Sequence, residues 1–331
     1  MDLVPDADPP EPPSDAEVDR AGPAPRDLEL MGRAIGPLAT MPLRLAGYAA
    51  RGARRGVTMV SMAREGRGVV PDRVPRTVFN QPVGPRRRFA FCSVAMADVK
   101  ALRRQHDVKV NDVVLAICAG ALRRWLDERG ELPDRPLLGG VPVSTRAEGD
   151  DSASNQLANM IVSLATDVED PIERLVAIHE SSTGAKEMTA AVRATEIPSM
   201  GEVAPPALLN TGLHALAATG VMSMLPTMMN VLISNVPGPA FPLYTGGARV
   251  TGIFSSSVIM ESMGLNITVF SYMDRLDFGL VVDPDIVDDP WPIATAFLDT
   301  LAEMLEASGL DGPTVVEDPL GHDTGARTGA A

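Results

Sequence analysis

Asn111-Asp112-Val113-Val114-Leu115-Ala116 and Ile233-Ser234-Asn235-Val236-Pro237-Gly238-Pro239 are the two stretches on which a reading of the fold turns. The first has the marks of a helix start. Asn accepts hydrogen bonds from the free N–H groups of a first turn, and Gly130 suits a left-handed exit some twenty residues on. Between them Val114, Ile117, Ala121 and Trp125 recur at i, i+3, i+7 and i+11. That spacing predicts one long helix with a buried stripe. The second stretch reads as a strand that stops abruptly. Proline lacks the N–H that a sheet ladder needs, and glycine permits a tight reversal with close backbone approach.

Working outward, Phe89 to Val94 reads as a strand and Met96 to His106 as a helix with Val99 and Leu102 inward. Leu138 to Ser144 and Met160 to Thr166 are strand-like, separated by a polar loop from Glu148 to Asn155. Asp170-Pro171-Ile172-Glu173 is a helix start with cap, proline in the first turn and an early acid. Ile172, Leu175, Val176 and His179 fall on one face of that helix. The methionine-rich stretch from Glu196 to Met229 reads as helical in pieces. Strand-like runs follow at Asn230 to Val236, Ala248 to Phe254, Asn266 to Tyr272 and Asp277 to Val282. A last helix begins near Asp289-Pro290 and turns Ile293, Phe297, Leu301 and Leu305 inward as far as Gly309. Strands interleaved with helices predict an α/β fold, a two-layer sandwich of mixed sheet and helices.

Composition divides the 331 residues into four zones. Residues 1–26 are acidic and Pro-rich, with too little apolar surface to offset the entropy of ordering, and are expected to be disordered; 311–331 read the same way. Residues 27–74 form an amphipathic helical linker. Arg44, Arg51, Arg54 and Arg55 face one way, and Leu43, Leu45, Tyr48 and Val57 the other. The pattern suits either a helix packed on its own domain with solvated arginines or an interfacial helix touching anionic lipid. Residues 75–310 form the folded domain. A net charge of −14 argues against nucleic acid, whose phosphates need clustered Lys and Arg. Two cysteines and no leader of basic-then-apolar type point to a cytoplasmic location. No run of eighteen apolar residues suggests a membrane span. Contact with the inner face of a membrane, or with a lipid droplet, would be peripheral.

Candidates for chemistry are sparse. The Asn-Asp pair alone is first a helix cap with an early acid, and the Asn235–Pro239 turn is first a strand ending. The acidic run from Asp274 to Asp285 has no regular ligand spacing, so no metal is expected and its carboxylates read as solvated flanks of a strand. His179 sits on an apolar helix stripe, where a satisfied core histidine is the ordinary reading and a catalytic one the sharper reading. His106 lies at a helix end, where positive charge is favourable. His214 and His322 have no informative context. Gly-x-Ser-x-Gly, Gly-x-Gly-x-x-Gly and Walker segments are absent from the sequence.

Further matches join the two opening stretches: Phe79-Asn80-Gln81-Pro82-Val83-Gly84-Pro85-Arg86-Arg87-Arg88-Phe89, Val141-Pro142-Val143-Ser144-Thr145-Arg146, Gly264-Leu265-Asn266-Ile267-Thr268-Val269 and Asp277-Phe278-Gly279-Leu280. Together, over about residues 2–310, they resemble the bacterial wax ester synthase/diacylglycerol acyltransferase family. Asn155 stands where that family has a Gly-Asn pair, with Ser154 replacing the glycine.

The resemblance implies a fold similar to CoA-dependent acyltransferases of the chloramphenicol acetyltransferase type, in which two like α/β domains form a tunnel. It implies transfer of a fatty acyl group from acyl-CoA, the co-substrate, to diacylglycerol or a long-chain alcohol, with no bound cofactor. Asn111, Asp112, Asn235, Val236, Pro237, Gly238 and Pro239 are expected at the tunnel, with His179 and Asn155 as weaker candidates. The family's chemistry rests on a His-His-x-x-x-Asp-Gly motif. Of the four histidines here none has a His neighbour, and none has Asp four residues later. The chain is therefore expected to be a C-terminal half, impaired alone, that works with a separate N-terminal half or as a homo-oligomer. The alternative is a non-catalytic acyl-CoA or lipid binding protein.

Overall fold

The computed structural model describes residues 3–5, 57, 61, 74–144, 157–193 and 228–316. Most of the helical linker expected over 27–74, most of the methionine-rich stretch, Asn155, His214, His322 and residues 317–331 lie outside the described residues. The elements run β1 (Arg88–Ala95), α1 (Met96–His106), α2 (Val110–Asp127), β2 (Leu138–Ser144), β3 (Leu157–Ser163), α3 (Pro171–Arg193), β4 (Val231–Val236), β5 (Tyr244–Thr245), β6 (Ala248–Arg249), β7 (Leu265–Tyr272), β8 (Arg275–Val282) and α4 (Trp291–Ala307). Six strands form a mixed sheet in the order β1-β8-β7-β4-β2-β3. β4 runs parallel to β7 and β2, while β1/β8, β7/β8 and β2/β3 are antiparallel.

Contacts divide the chain into two compact units. One combines Met1–Ser61, Ala191–Met224 and Leu243–Arg249. Its described elements are the ribbon β5–β6, closed by Gly246 and Gly247 at φ 55° and 80°, the positive dihedrals that a two-residue hairpin turn demands. The other, Met62–Ala190, Leu225–Pro242 and Val250–Ala331, carries the six-stranded sheet.

Within that second unit, side chains alternate along β8 as a strand requires. Leu276, Phe278 and Leu280 join the apolar core, where Phe278 lies 5.0 Å from the ring of Phe297 on α4. Helices α2 and α4 approach closely because position 120 is glycine. A Cβ there would lie 2.3 Å from Thr300 Cγ2. Arg275, Asp277 and Gly279 point the other way, toward the segment 250–258. That segment crosses the sheet face through side-chain bonds: Arg275 donates to Thr251 O, Asp277 accepts from Ile253 N–H, and Thr268 donates to Ser257 Oγ. The strand expected from Ala248 to Phe254 is therefore corrected: only Ala248–Arg249 pair, and the rest is extended chain bonded to side chains.

Three further readings change. Asp277 and Asp283 are wholly buried, not solvated flanks. Asp277 is held by Arg275 and Ser93, and Asp283 accepts from Gly84 and Asp285 N–H. The strand expected from Met160 begins at Leu157 and ends at Ser163. Helix α2 is capped at Lys109, so Asn111 is its second residue and not its cap. The Asp170 cap is as expected, its Oδ1 accepting from Ile172 and Glu173 N–H at 2.8 Å. The segment before β1 is pinned by a buried amide pair. Asn80 donates to Met229 O and Ser262 O, and Asn230 donates to Asn80 Oδ1.

Candidate functional site

The site grows from the first turn of α2. A helix leaves its first N–H groups without partners, and a side chain at the third position can reach back to one. Asp112 occupies that position, and its Oδ2 accepts the Lys109 backbone N–H at 3.0 Å. That bond takes one of about four lone-pair sites on the carboxylate, which leaves capacity for other donors.

Those donors come from α3. His179 and Ser182 stand three residues apart, hence on one helix face. His179 Nδ1 lies 2.6 Å from Asp112 Oδ2, and Ser182 Oγ donates to Oδ1 at 2.6 Å. The carboxylate is wholly buried, whereas the imidazole is 31% exposed. The expectation that His179 shares an apolar stripe is corrected in part: Leu175 and Ile178 are buried, Val176 is exposed, and the histidine faces a carboxylate. Ser182 and Lys109 went unnoticed in the sequence. For Ser182 the available signal was its i+3 spacing from His179.

Asn111 points to β4. Asn235, next to last in that strand, donates through Nδ2 to Asn111 Oδ1 at 3.3 Å. The turn that follows is fixed to β7: Gly238 N–H donates to Ser271 Oγ at 2.9 Å, and Met273 N–H to Pro239 O at 3.0 Å. Glycine is required here for close approach, since a Cβ would lie 2.1 Å from Ser271 O. Val236 and Phe241 are left exposed beside the turn. Direct bonds thus join Asn235 to Asn111 and His179 to Asp112, while Gly238 and Pro239 are bonded to Ser271 and Met273. The Asn111–Asn235 contact lies at the C-terminal end of β4 and the N-terminus of α2, and open α/β sheets bind ligands outside the carboxyl ends of their strands.

Nearby on α3, burial pushes the Lys186 amine below its ordinary value, and the adjacent Lys109 adds to that. His106 is elsewhere, its Nε2 2.8 Å from Ser308 Oγ. No cluster of three or more metal-ligating side chains occurs among the described residues.

Two family models match the chain. The wax ester synthase/diacylglycerol acyltransferase catalytic domain matches residues 1–114, and the WS/DGAT C-terminal domain matches 153–305. A Mycobacterium tuberculosis protein provisionally named as a diacyglycerol O-acyltransferase is 34% identical over 282 residues, 85% of this chain and 56% of that protein. A Mycobacterium bovis protein provisionally given the same activity is 41% identical over 213 residues, 64% of this chain and 46% of that one. Among solved structures, the wax ester synthase/diacylglycerol acyltransferase from Marinobacter aquaeolei VT8 superposes with a TM-score of 0.57 at 30% identity, over 78% of this chain and 58% of that one. The chain spans about half the length of the curated relatives it matches.

Proposed function

The chain belongs to the wax ester synthase/diacylglycerol acyltransferase family, and from that premise we propose that it serves the transfer of a fatty acyl group from acyl-CoA to the hydroxyl of diacylglycerol or a long-chain alcohol. The observation that carries this reading is the Asn235–Asn111 bond. Asn111 falls in the region matched by the catalytic-domain model and Asn235 in the region matched by the C-terminal model, so the two matched regions meet at one polar corner. Acyl-CoA enters as a co-substrate, and the reaction needs no bound cofactor. The sequence holds no paired histidines, so turnover by this chain is expected to be slow.

The same lack of paired histidines favours a second reading, acyl-CoA or lipid binding without turnover. No helix among the described residues is long and apolar enough to cross a membrane. Peripheral contact with a membrane or lipid droplet is part of the proposal.

The test uses the full chain. Palmitoyl-CoA is titrated while intrinsic tryptophan fluorescence is followed. CoA thiol release is then measured with hexadecanol or dipalmitoylglycerol as acceptor. Saturable binding with acceptor-dependent thiol release is expected. Absence of binding at high micromolar ligand defeats both readings, and binding without release selects the second.

A further inference from the structure

The geometry points to His179 as the proton acceptor for the acceptor hydroxyl, a role that rests on the acyl-transfer reading above. Four observations converge on it. Asp112 is wholly buried and takes its bonds as an acceptor, so the histidine nitrogen facing it carries the proton. That places the proton on Nδ1 and leaves the lone pair on Nε2. Nε2 has no hydrogen-bond partner among the described residues, and the ring is 31% exposed, so an incoming hydroxyl can reach it. The ring is anchored to Asp112, the residue that directly follows Asn111 in the first turn of α2. The other described histidine, His106, has its Nε2 committed to Ser308.

A buried carboxylate that holds an imidazole in one tautomer is the arrangement by which a histidine is made a directed base. Ser182 and the Lys109 N–H hold the carboxylate in turn, so the aspartate cannot swing away from the ring. In the step itself the O–H bond of the alcohol breaks and its proton passes to Nε2. The oxygen adds to the thioester carbonyl carbon. The C–S bond then breaks, and the departing sulfur takes the proton from Nε2. Ester and CoA thiol leave, and the imidazole is neutral again. Asp112 is a positioning residue here, because it acts through the imidazole and not on the reacting atoms.

The experiment compares wild type, His179→Asn, Asp112→Asn and the control His106→Asn in the thiol-release assay and in palmitoyl-CoA binding. His179→Asn is expected to lower kcat by about 100-fold or more, with acyl-CoA affinity unchanged. Asp112→Asn lowers kcat and moves the acid limb of the pH profile, and His106→Asn keeps the wild-type rate. Nitrogen-15 NMR of labelled histidine supplies a readout independent of turnover: at neutral pH the His179 spectrum is expected to show a protonated Nδ1 and a bare Nε2. A wild-type rate in His179→Asn overturns the inference and leaves the acyl-transfer reading standing. So does a proton on Nε2 in the spectrum. Binding without any wild-type turnover also overturns it and selects the non-catalytic reading, whereas absence of binding removes the functional reading itself.

Discussion

Two carboxylates in this molecule are equally buried and differently employed. Asp277 on β8 faces Arg275 at 2.7 Å, Ser93 at 2.6 Å and the Ile253 N–H at 2.7 Å. All its partners belong to the sheet or to the segment lying on it, and its cation is a guanidinium, which has donors and no acceptor to offer. Asp112 on α2 has a backbone N–H and a serine in the same roles, but in place of arginine it has a half-buried imidazole. The first is a closed structural lock. The second couples the same kind of anion to a partly exposed imidazole that has a nitrogen to spare. Burial of an acid therefore says little about its role. The chemistry of the partner, and whether solvent reaches it, says more.

The contrast can be attacked experimentally. Asp277→Ala removes the carboxylate from a buried arginine and should cost about 3–5 kcal/mol in urea unfolding. Asp112→Ala leaves an imidazole that water can reach, and should cost about 1–3 kcal/mol. If the order is reversed, Asp112 is the structural lock and the comparison fails. Ser182→Ala removes one neutral donor and should cost about 0.5–1.5 kcal/mol. It should also loosen the aspartate, which a broadened His179 resonance would register.

The effect expected to be smallest at neutral pH concerns the thiols. Burial, then Cys118 and Asp277, raises the Cys92 thiol, and burial raises Cys118 as well. A raised folded-state value means that the native protein keeps the proton longer than the unfolded chain does. The resulting stability is fully present below the unfolded thiol value of 9.0 and is lost as pH climbs above it. Urea midpoints at pH 7 and 8 should thus differ little from this cause, with a fall at pH 10 that shrinks in a Cys92→Ala, Cys118→Ala double variant. Native thiols should also resist a disulfide reagent until the protein unfolds.

Local signals were readable wherever the physics is local. The α1 boundaries, the Asp170 cap and the inward residues of α4 follow from periodicity and capping over a few residues. Helix α2 is capped at Lys109, two residues before Asn111, and Asp112 at the third helical position accepts the Lys109 N–H. The stretch from Val250 to Phe254 resembles a strand in composition, but arginine, aspartate and aromatic side chains of the sheet take its backbone and rings instead of a partner strand.

By itself the sequence determined the alternation of helices and strands, the family membership and the identity of the two polar motifs, because each is written in contiguous residues. Only the tertiary structure decided that Asp112 would meet a histidine 67 residues away, that Asn111 would meet Asn235 across 124 residues, and that Asp277 would be sealed rather than solvated. Periodicity says which face of a helix is buried. It does not say which side chain of another element is waiting there, and here that difference separates a structural acid from the support of a base.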